Sequence, residues 1–234
     1  MPELAVPGRE PAASCRGVVK VYRASTGPVL AVDGVDATFG AGRVVAVVGP
    51  SGSGKSSLLR LVAGLDRPSA GSVRVGGVEL AGLSARRRRR IRRRLIGYVF
   101  QDPSHNLLPY LEAREQVELA LALRGGRRAA RGPQGEELLE RVGLGSRARH
   151  LPGQLSGGEQ QRLAFLTAVA GGPSVVVADE PTAELDSASA ARLLALLVQL
   201  CAGGVTFVVS SHDPAVREAS SDVVELSHGR LVRP

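Results

Sequence analysis

Tryptophan is absent and aromatic residues make up only 3% of the 234-residue chain. That scarcity weighs against single-stranded nucleic-acid binding, which stacks bases on aromatic rings. Cysteine is nearly absent too, with only Cys15 and Cys201 present. A disulfide scaffold is thereby excluded, and thiols this sparse indicate a reducing, cytoplasmic setting. No apolar run approaches the roughly 20 residues that a membrane-crossing helix requires; the longest lie around 174–178 and 193–202. The first 14 residues, MPELAVPGREPAAS, lack the charged start and unbroken apolar core of a secretory signal and are expected to form a flexible tail. Lysine occurs only as Lys20 and Lys55, so the formal net charge of +8 is almost wholly arginine. Such a charge admits either nucleic acid or an anionic membrane surface as a partner and does not choose between them.

What is present suits one well-buried domain with a smaller lobe attached, since 44% of the residues are hydrophobic. Strand-like segments at 16–22 and 35–39 are followed by a wholly apolar strand at 44–48, a Gly/Ser turn and a periodic helix at 56–63. A β-rich stretch at 71–80 precedes an arginine run at 86–94 and a buried strand at 96–100. From 101 to about 153 the pattern turns helical, at 111–123 and 136–142, interrupted by a Gly/Arg/Pro-rich break. Helix, strand, helix, strand then follow at 158–170, 175–178, 188–201 and 206–210. Regular alternation of this kind predicts an α/β fold with a mostly parallel sheet covered on both faces.

The segment GPSGSGKSS comprises Gly49, Pro50, Ser51, Gly52, Ser53, Gly54, Lys55, Ser56 and Ser57. It satisfies the G-x-x-x-x-G-K-[ST] pattern and sits between a buried strand and a helix, where that pattern cradles phosphates. Its glycines let several amides face one anion, and the helix start adds a positive dipole end. Lys55 can reach the β- and γ-phosphates, and the Ser56 hydroxyl can coordinate Mg²⁺. A compact ammonium fits such a loop better than a planar guanidinium, consistent with lysine here in an arginine-dominated chain. Asp179 and Glu180 close the apolar run VVVADE, at the strand end where parallel sheets bind ligands. Asp179 is the candidate Mg²⁺ partner and Glu180 the candidate base or orienting group for an attacking water.

With LSGGEQQR at 155–162 added to these elements, the chain resembles the ATP-binding cassette family over nearly its whole length after about Cys15. The resemblance implies a P-loop NTPase core, an N-terminal antiparallel β subdomain and an inserted helical subdomain at about 102–165, within a nucleotide-binding domain at 15–234. It also implies that Tyr22 stacks on adenine, that Gln101 joins nucleotide and metal to the partner, that Asp186 lies in the dimer-contact loop and that His212 is the switch histidine. Ser156, Gly157 and Gly158 offer a second anion-binding surface near a helix start. The family pattern has it close on ATP held by a second subunit, as a homodimer or heterodimer.

Lys55, Asp179, Glu180 and His212 are all present, which argues against a catalytically dead module. The features of cassettes that act on DNA or ribosomes, a split domain or two cassettes per chain, are missing. The expected function is therefore the ATPase subunit of a transporter with a separate permease, held peripherally at the inner face of the cell membrane; nucleic acid is not an expected partner. Residues 100–121 and DEPTAELDS at 179–187 resemble the lipoprotein-release and macrolide-export group. Gln116 departs from its usual Asn, and Ala183 and Glu184 from its common Gly-Asn. The plain reading of the arginine run is a solvated helix face near anionic lipid headgroups.

Overall fold

The computed structural model describes residues 10–25, 27–125 and 134–232. Five strands run parallel at its centre: β3 (Val44–Val48), β6 (Ile96–Val99), β7 (Val175–Asp179), β8 (Thr206–Ser210) and β9 (Asp222–Ser227). A short β10 (Arg230–Leu231) adds antiparallel to β9, giving the order β10-β9-β3-β8-β7-β6. Successive side chains of a strand face opposite sides. Accordingly Val44, Ala46, Val48, Val176, Ala178, Phe207 and Val209 enter one core, while Val45, Val47, Val175, Val177 and Val208 enter another. A sheet buried on both faces has no polar side to alternate with, which is why these strands read as unbroken apolar runs.

On one face lie α1 (Lys55–Val62) and an antiparallel sheet, ordered β2-β1-β4-β5, of β1 (Ala13–Ala24), β2 (Gly27–Phe39), β4 (Ala70–Val75) and β5 (Val78–Glu79). The other face carries α5 (Gly157–Val169), α6 (Ser187–Ala202) and the helical lobe with α3 (Ala113–Gly125) and α4 (Gln134–Arg141). The arginine run forms α2 (Ala85–Leu95), and α7 (Pro214–Glu218) precedes β9. Among the described residues no helix is long and apolar enough to cross a membrane.

Two sequence expectations change. The tail expected through residue 14 ends earlier, because Ala12 and Ala13 are buried and β1 begins at Ala13, paired to both Phe39 and Val75. Residues 1–9 of that tail, and the Gly/Arg/Pro-rich break at 126–133, lie outside the described residues. Beyond residue 210 the structure adds β9 and β10, which the pattern did not mark: only Leu226 of β9 is buried, and acidic residues stand at Asp222 and Glu225. Both cysteines are free; burial pushes the Cys15 thiol up to about 12, aided by Asp36 and Glu79, and the Cys201 thiol to about 11.

The packing of α5 on β6 rests on a missing side chain. A Cβ on Gly97 would stand 2.5 Å from the Ala168 carbonyl oxygen and 2.9 Å from Val176 Cγ2. Both are fixed core atoms, so α5 would have to shift. Gly97→Ala is therefore expected to destabilise the fold by about 1–3 kcal/mol, seen as a lower denaturation midpoint. Gly82→Ala, where a Cβ meets nothing within 4 Å, should leave the midpoint nearly unchanged; equal midpoints for the two variants would contradict the packing argument.

Candidate nucleotide site

A side chain caps the start of four α-helices: Ser84 for α2, Ser156 for α5, Asp186 for α6 and Asp213 for α7. At α1 the N-cap is Gly54, with no side-chain cap and no acidic residue in the first turn. The amides of Lys55, Ser56 and Ser57 find no acceptor among the described residues. A helix start left open in this way carries unsatisfied donors and a positive dipole end.

Close backbone packing holds the loop in that state. Gly49 has φ 146° and a Cβ there would overlap the Leu226 carbonyl oxygen of β9; Gly54 has φ 100° and a Cβ would overlap the Ala31 carbonyl oxygen of β2. The β9–β10 turn seals the far side: the Gly229 amide donates to Ser53 O at 2.9 Å, and Asp33 N donates to Gly229 O at 2.8 Å. Within the loop, Lys55 Nζ donates to Gly49 O at 2.9 Å and Pro50 O at 3.0 Å. The Ser53 hydroxyl is buried with no hydrogen-bond partner among the described residues.

The strand end of β7 comes directly against this loop. Ser56 Oγ donates to Asp179 Oδ1 at 3.1 Å, and Ser210 Oγ donates to the same oxygen at 2.5 Å. Glu180 then turns into the left-handed region at φ 46°, an uncommon conformation for a residue with a side chain. Its amide is shared between Ser210 O at 3.1 Å and Ser210 Oγ at 3.0 Å. Its carboxylate, 19% exposed, lies 3.0 Å from His212 Nδ1 and accepts the His212 amide at 3.4 Å. Strained backbone of this kind clusters at functional sites.

Ser56 with Asp179 and Glu180 with His212 thus form two hydrogen-bonded pairs at the strand ends, and Lys55 stands next to Ser56 at the start of α1, bonded within the loop. Other expected residues are not in hydrogen-bond contact with the loop. Gln101 Nε2 reaches Glu184 Oε1 at 3.5 Å. Tyr22 lies on β1 opposite Val29, with Lys20 Nζ 4.7 Å from its ring centroid, so one ring face is taken. Ser156 forms a reciprocal capping box: its amide donates to Glu159 Oε2 at 2.8 Å, and its hydroxyl accepts the Glu159 amide at 3.3 Å. Gly157 and Gly158 open α5. Asp186 caps α6, accepting Ser189 N at 2.9 Å and Ser189 Oγ at 2.6 Å. A Cβ on Gly158 would stand 3.3 Å from Ser189 Cβ, so the LSGGEQQR helix and the Asp186 turn are packed together.

Three contributors were not anticipated: Ser210, which orients both carboxylate residues, and Leu226 and Gly229, which back the loop. The serine pair after the apolar run 207–209 was the available signal for the first; nothing local marks the other two.

This geometry fits a nucleoside triphosphate and its metal. Open amides and an ammonium suit phosphate oxygens. The Ser56 and Asp179 oxygens suit Mg²⁺, which takes hard oxygen ligands, one or two carboxylates and the substrate's phosphates.

A parallel sheet ending in a glycine loop, an uncapped helix with Lys55 and two strand-end carboxylates define a phosphate-loop nucleoside triphosphatase. The comparisons with known proteins narrow the class. A family model described as ABC transporter matches residues 32–183. The lipoprotein-releasing system ATP-binding protein LolD of Anaeromyxobacter dehalogenans is 44% identical over 98% of this chain and 96% of its own. The macrolide export ATP-binding/permease protein MacB 1/2 of Paracoccus denitrificans is 43% identical over 93% of this chain, which spans 32% of that longer protein. Among solved structures, the dimeric post-hydrolysis state of the cassette MJ0796 with ADP and Pi aligns with TM-score 0.82 and 34% identity, covering 94% of this chain and 97% of that one. The chain belongs to the ABC transporter family, as an ATP-binding and ATP-hydrolysing component. Nothing in these relatives supports the alternative of a cassette acting on nucleic acid.

The left-handed backbone of Glu180 gives a test that separates strain from side-chain contacts. Glu180→Ala and Glu180→Gly delete the same hydrogen bonds, but only glycine adopts positive φ freely. The glycine variant is expected to be the more stable of the two by about 1 kcal/mol, measured by denaturant unfolding. An alanine variant of equal or greater stability would show that no strain is stored there.

Proposed function

We propose that the chain hydrolyses ATP at sites shared between two nucleotide-binding subunits and so powers a membrane-spanning permease carried by a separate polypeptide. The observation that carries this reading is the uncapped start of α1 with Lys55, tied by the Ser56–Asp179 hydrogen bond to the strand end that Glu180 follows. The loop amides and Lys55 bind the β- and γ-phosphates. Ser56 and Asp179, together with Gln101, would hold Mg²⁺, which when bound neutralises charge on the phosphate oxygens. Glu180 orients the attacking water and accepts its proton, and His212 holds the Glu180 carboxylate in place. Tyr22 stacks on adenine with the ring face that Lys20 leaves open.

Ser156, Gly157 and Gly158 of the second subunit close on the γ-phosphate, with Asp186 at the contact between subunits. The dimeric state of the similar cassette supports this arrangement. So does the capping of Ser156 within its own chain, which leaves it outside hydrogen-bond contact with its own phosphate loop. The second subunit is a further copy or a homologue, and the assembly sits at the cytoplasmic face of the membrane through the permease. The LolD and MacB relatives support a role in lipoprotein release or export.

Nucleotide titration and sedimentation test the reading. Lys55→Ala is expected to weaken ATP binding by about tenfold or more, since a hydrogen bond to a charged group contributes about 1.5–3 kcal/mol. Glu180→Gln should keep ATP affinity while hydrolysis falls about 10²–10⁴-fold, and should dimerise with ATP and Mg²⁺. Adding Ser156→Arg should block that dimer and leave monomer affinity intact. ATP affinity lost with Ser156→Arg, or no ATP-driven association in Glu180→Gln, would refute the shared site.

A further inference from the structure

The helix α2 has 11 residues, of which eight are arginine and none acidic. Its exposed residues Arg86, Arg87, Arg89, Arg90, Arg93 and Arg94 fall within an arc of about 160° at 3.6 residues per turn. The opposite side, half-buried, packs Ile91 and Leu95 on the core, while Arg92 Nη1 lies 3.5 Å from Gly64 O. None of the six exposed arginines has an ion pair among the described residues. Together with Ser84, all of them but Arg94 line a shallow concavity. Like charges three and four residues apart repel, and Arg86 and Arg87 stand in the first turn, where the helix dipole disfavours cations. The charge pattern therefore opposes the helix that carries it, and apposed anions would remove that opposition.

The C-terminal part of α2 lies at the end of the molecule remote from the nucleotide loop. α1 starts at the loop and ends near Gly64, beside Arg92, and Ile96 starts β6 opposite Val175, the first residue of β7. A ligand there leaves the nucleotide site open. The exposed face holds guanidinium groups without any large apolar residue to insert and without an aromatic to stack on a base. Guanidinium engages phosphate oxygens through two parallel hydrogen bonds, so an arginine-only face suits a field of phosphodiesters.

We propose that the arginine face of α2 is a docking surface for the anionic phospholipid headgroups of the bilayer that houses the permease. The proposal rests on the transporter reading above, which sets the chain beside a membrane. Adsorption is electrostatic and superficial: it strengthens with anionic lipid, weakens with salt, and needs neither nucleotide nor permease.

Sedimentation of the purified chain with vesicles tests it. The chain is expected to bind phosphatidylglycerol vesicles and not phosphatidylcholine vesicles, and to be released by salt. Each arginine at the surface contributes about fivefold to binding. Arg86→Gln, Arg89→Gln, Arg90→Gln and Arg93→Gln combined should therefore lower the affinity by about a hundredfold or more. The same four positions changed to lysine should retain most of it, and Arg89→Gln with Arg93→Gln gives a milder variant if the fourfold one fails to fold. ATP affinity should be unchanged throughout. Equal binding to neutral vesicles, no loss in the glutamine variants, or tighter binding to duplex DNA than to phosphatidylglycerol at the same salt would each overturn the proposal. A chain that ignores vesicles yet dimerises with ATP would sink the lipid surface alone; one that binds vesicles but shows no ATP-driven dimer would sink the shared site instead.

Discussion

An α-helix that begins with free amides in a partly buried setting favours an anion there, because the unsatisfied donors and the dipole both ask for negative charge. Helix α1 begins in that way, and its surroundings keep it so. With Gly54 in a left-handed conformation, no side chain is available to cap the turn. The carbonyl oxygens of Ala31 and Leu226 occupy the space that β-carbons at Gly54 and Gly49 would need. Those two carbonyls come from different sheets, so the antiparallel sheet and the β9–β10 hairpin are both walls of one loop. The ion pair between Arg230 and Asp33, at 2.7 Å, ties those walls to each other. The antiparallel sheet and the β9–β10 hairpin thus converge on one loop and keep the helix start after it uncapped.

The carboxylate side of the site depends on strand register. Asp179 pairs opposite Ser210, so the hydroxyl of Ser210 can hold the Asp179 carboxylate while accepting the Glu180 amide. One serine therefore fixes a carboxylate of the first residue and the backbone of the second. Asp179 can face the loop and Ser56 while Glu180, turned to φ 46°, faces His212. Two adjacent acidic residues on an ideal strand would simply alternate sides; the left-handed turn at Glu180 departs from that alternation.

The sequence made the parallel core, the phosphate loop and the strand-end carboxylates legible because each is a local signal: an apolar run of strand length, a glycine pattern, an acidic pair. Contacts between distant segments were not legible. Leu226 and Gly229 act through backbone atoms on a loop far away in the chain, and no side-chain pattern records that. Strand β9 escaped notice because it presents a single buried residue. The departures from the family pattern acquire physical meaning only in three dimensions. Gln116 is buried, with Oε1 accepting Leu108 N and Nε2 donating to Leu108 O and Leu111 O, so it pins the segment leading into α3. Glu184 lies at hydrogen-bonding distance from Gln101, linking the segment after Glu180 to the one after β6.

The two lysines show how far composition can be pressed. In a chain that otherwise uses arginine, each lysine sits where several acceptors lie in different directions around a compact charge. Lys20 donates to Asp66 Oδ1 at 2.7 Å and to Arg67 O at 2.9 Å while covering the Tyr22 ring. Lys55 donates to two loop carbonyls, Gly49 O and Pro50 O, beside the open amides. A planar fork could not meet either set of acceptors in the same volume. Arginine fills the converse role on α2, where six of the eight groups are exposed, side by side and without an ion pair among the described residues. The choice of cation thus separates two settings: a compact charge among acceptors converging from several directions at Lys55, and an open row of guanidinium groups along α2.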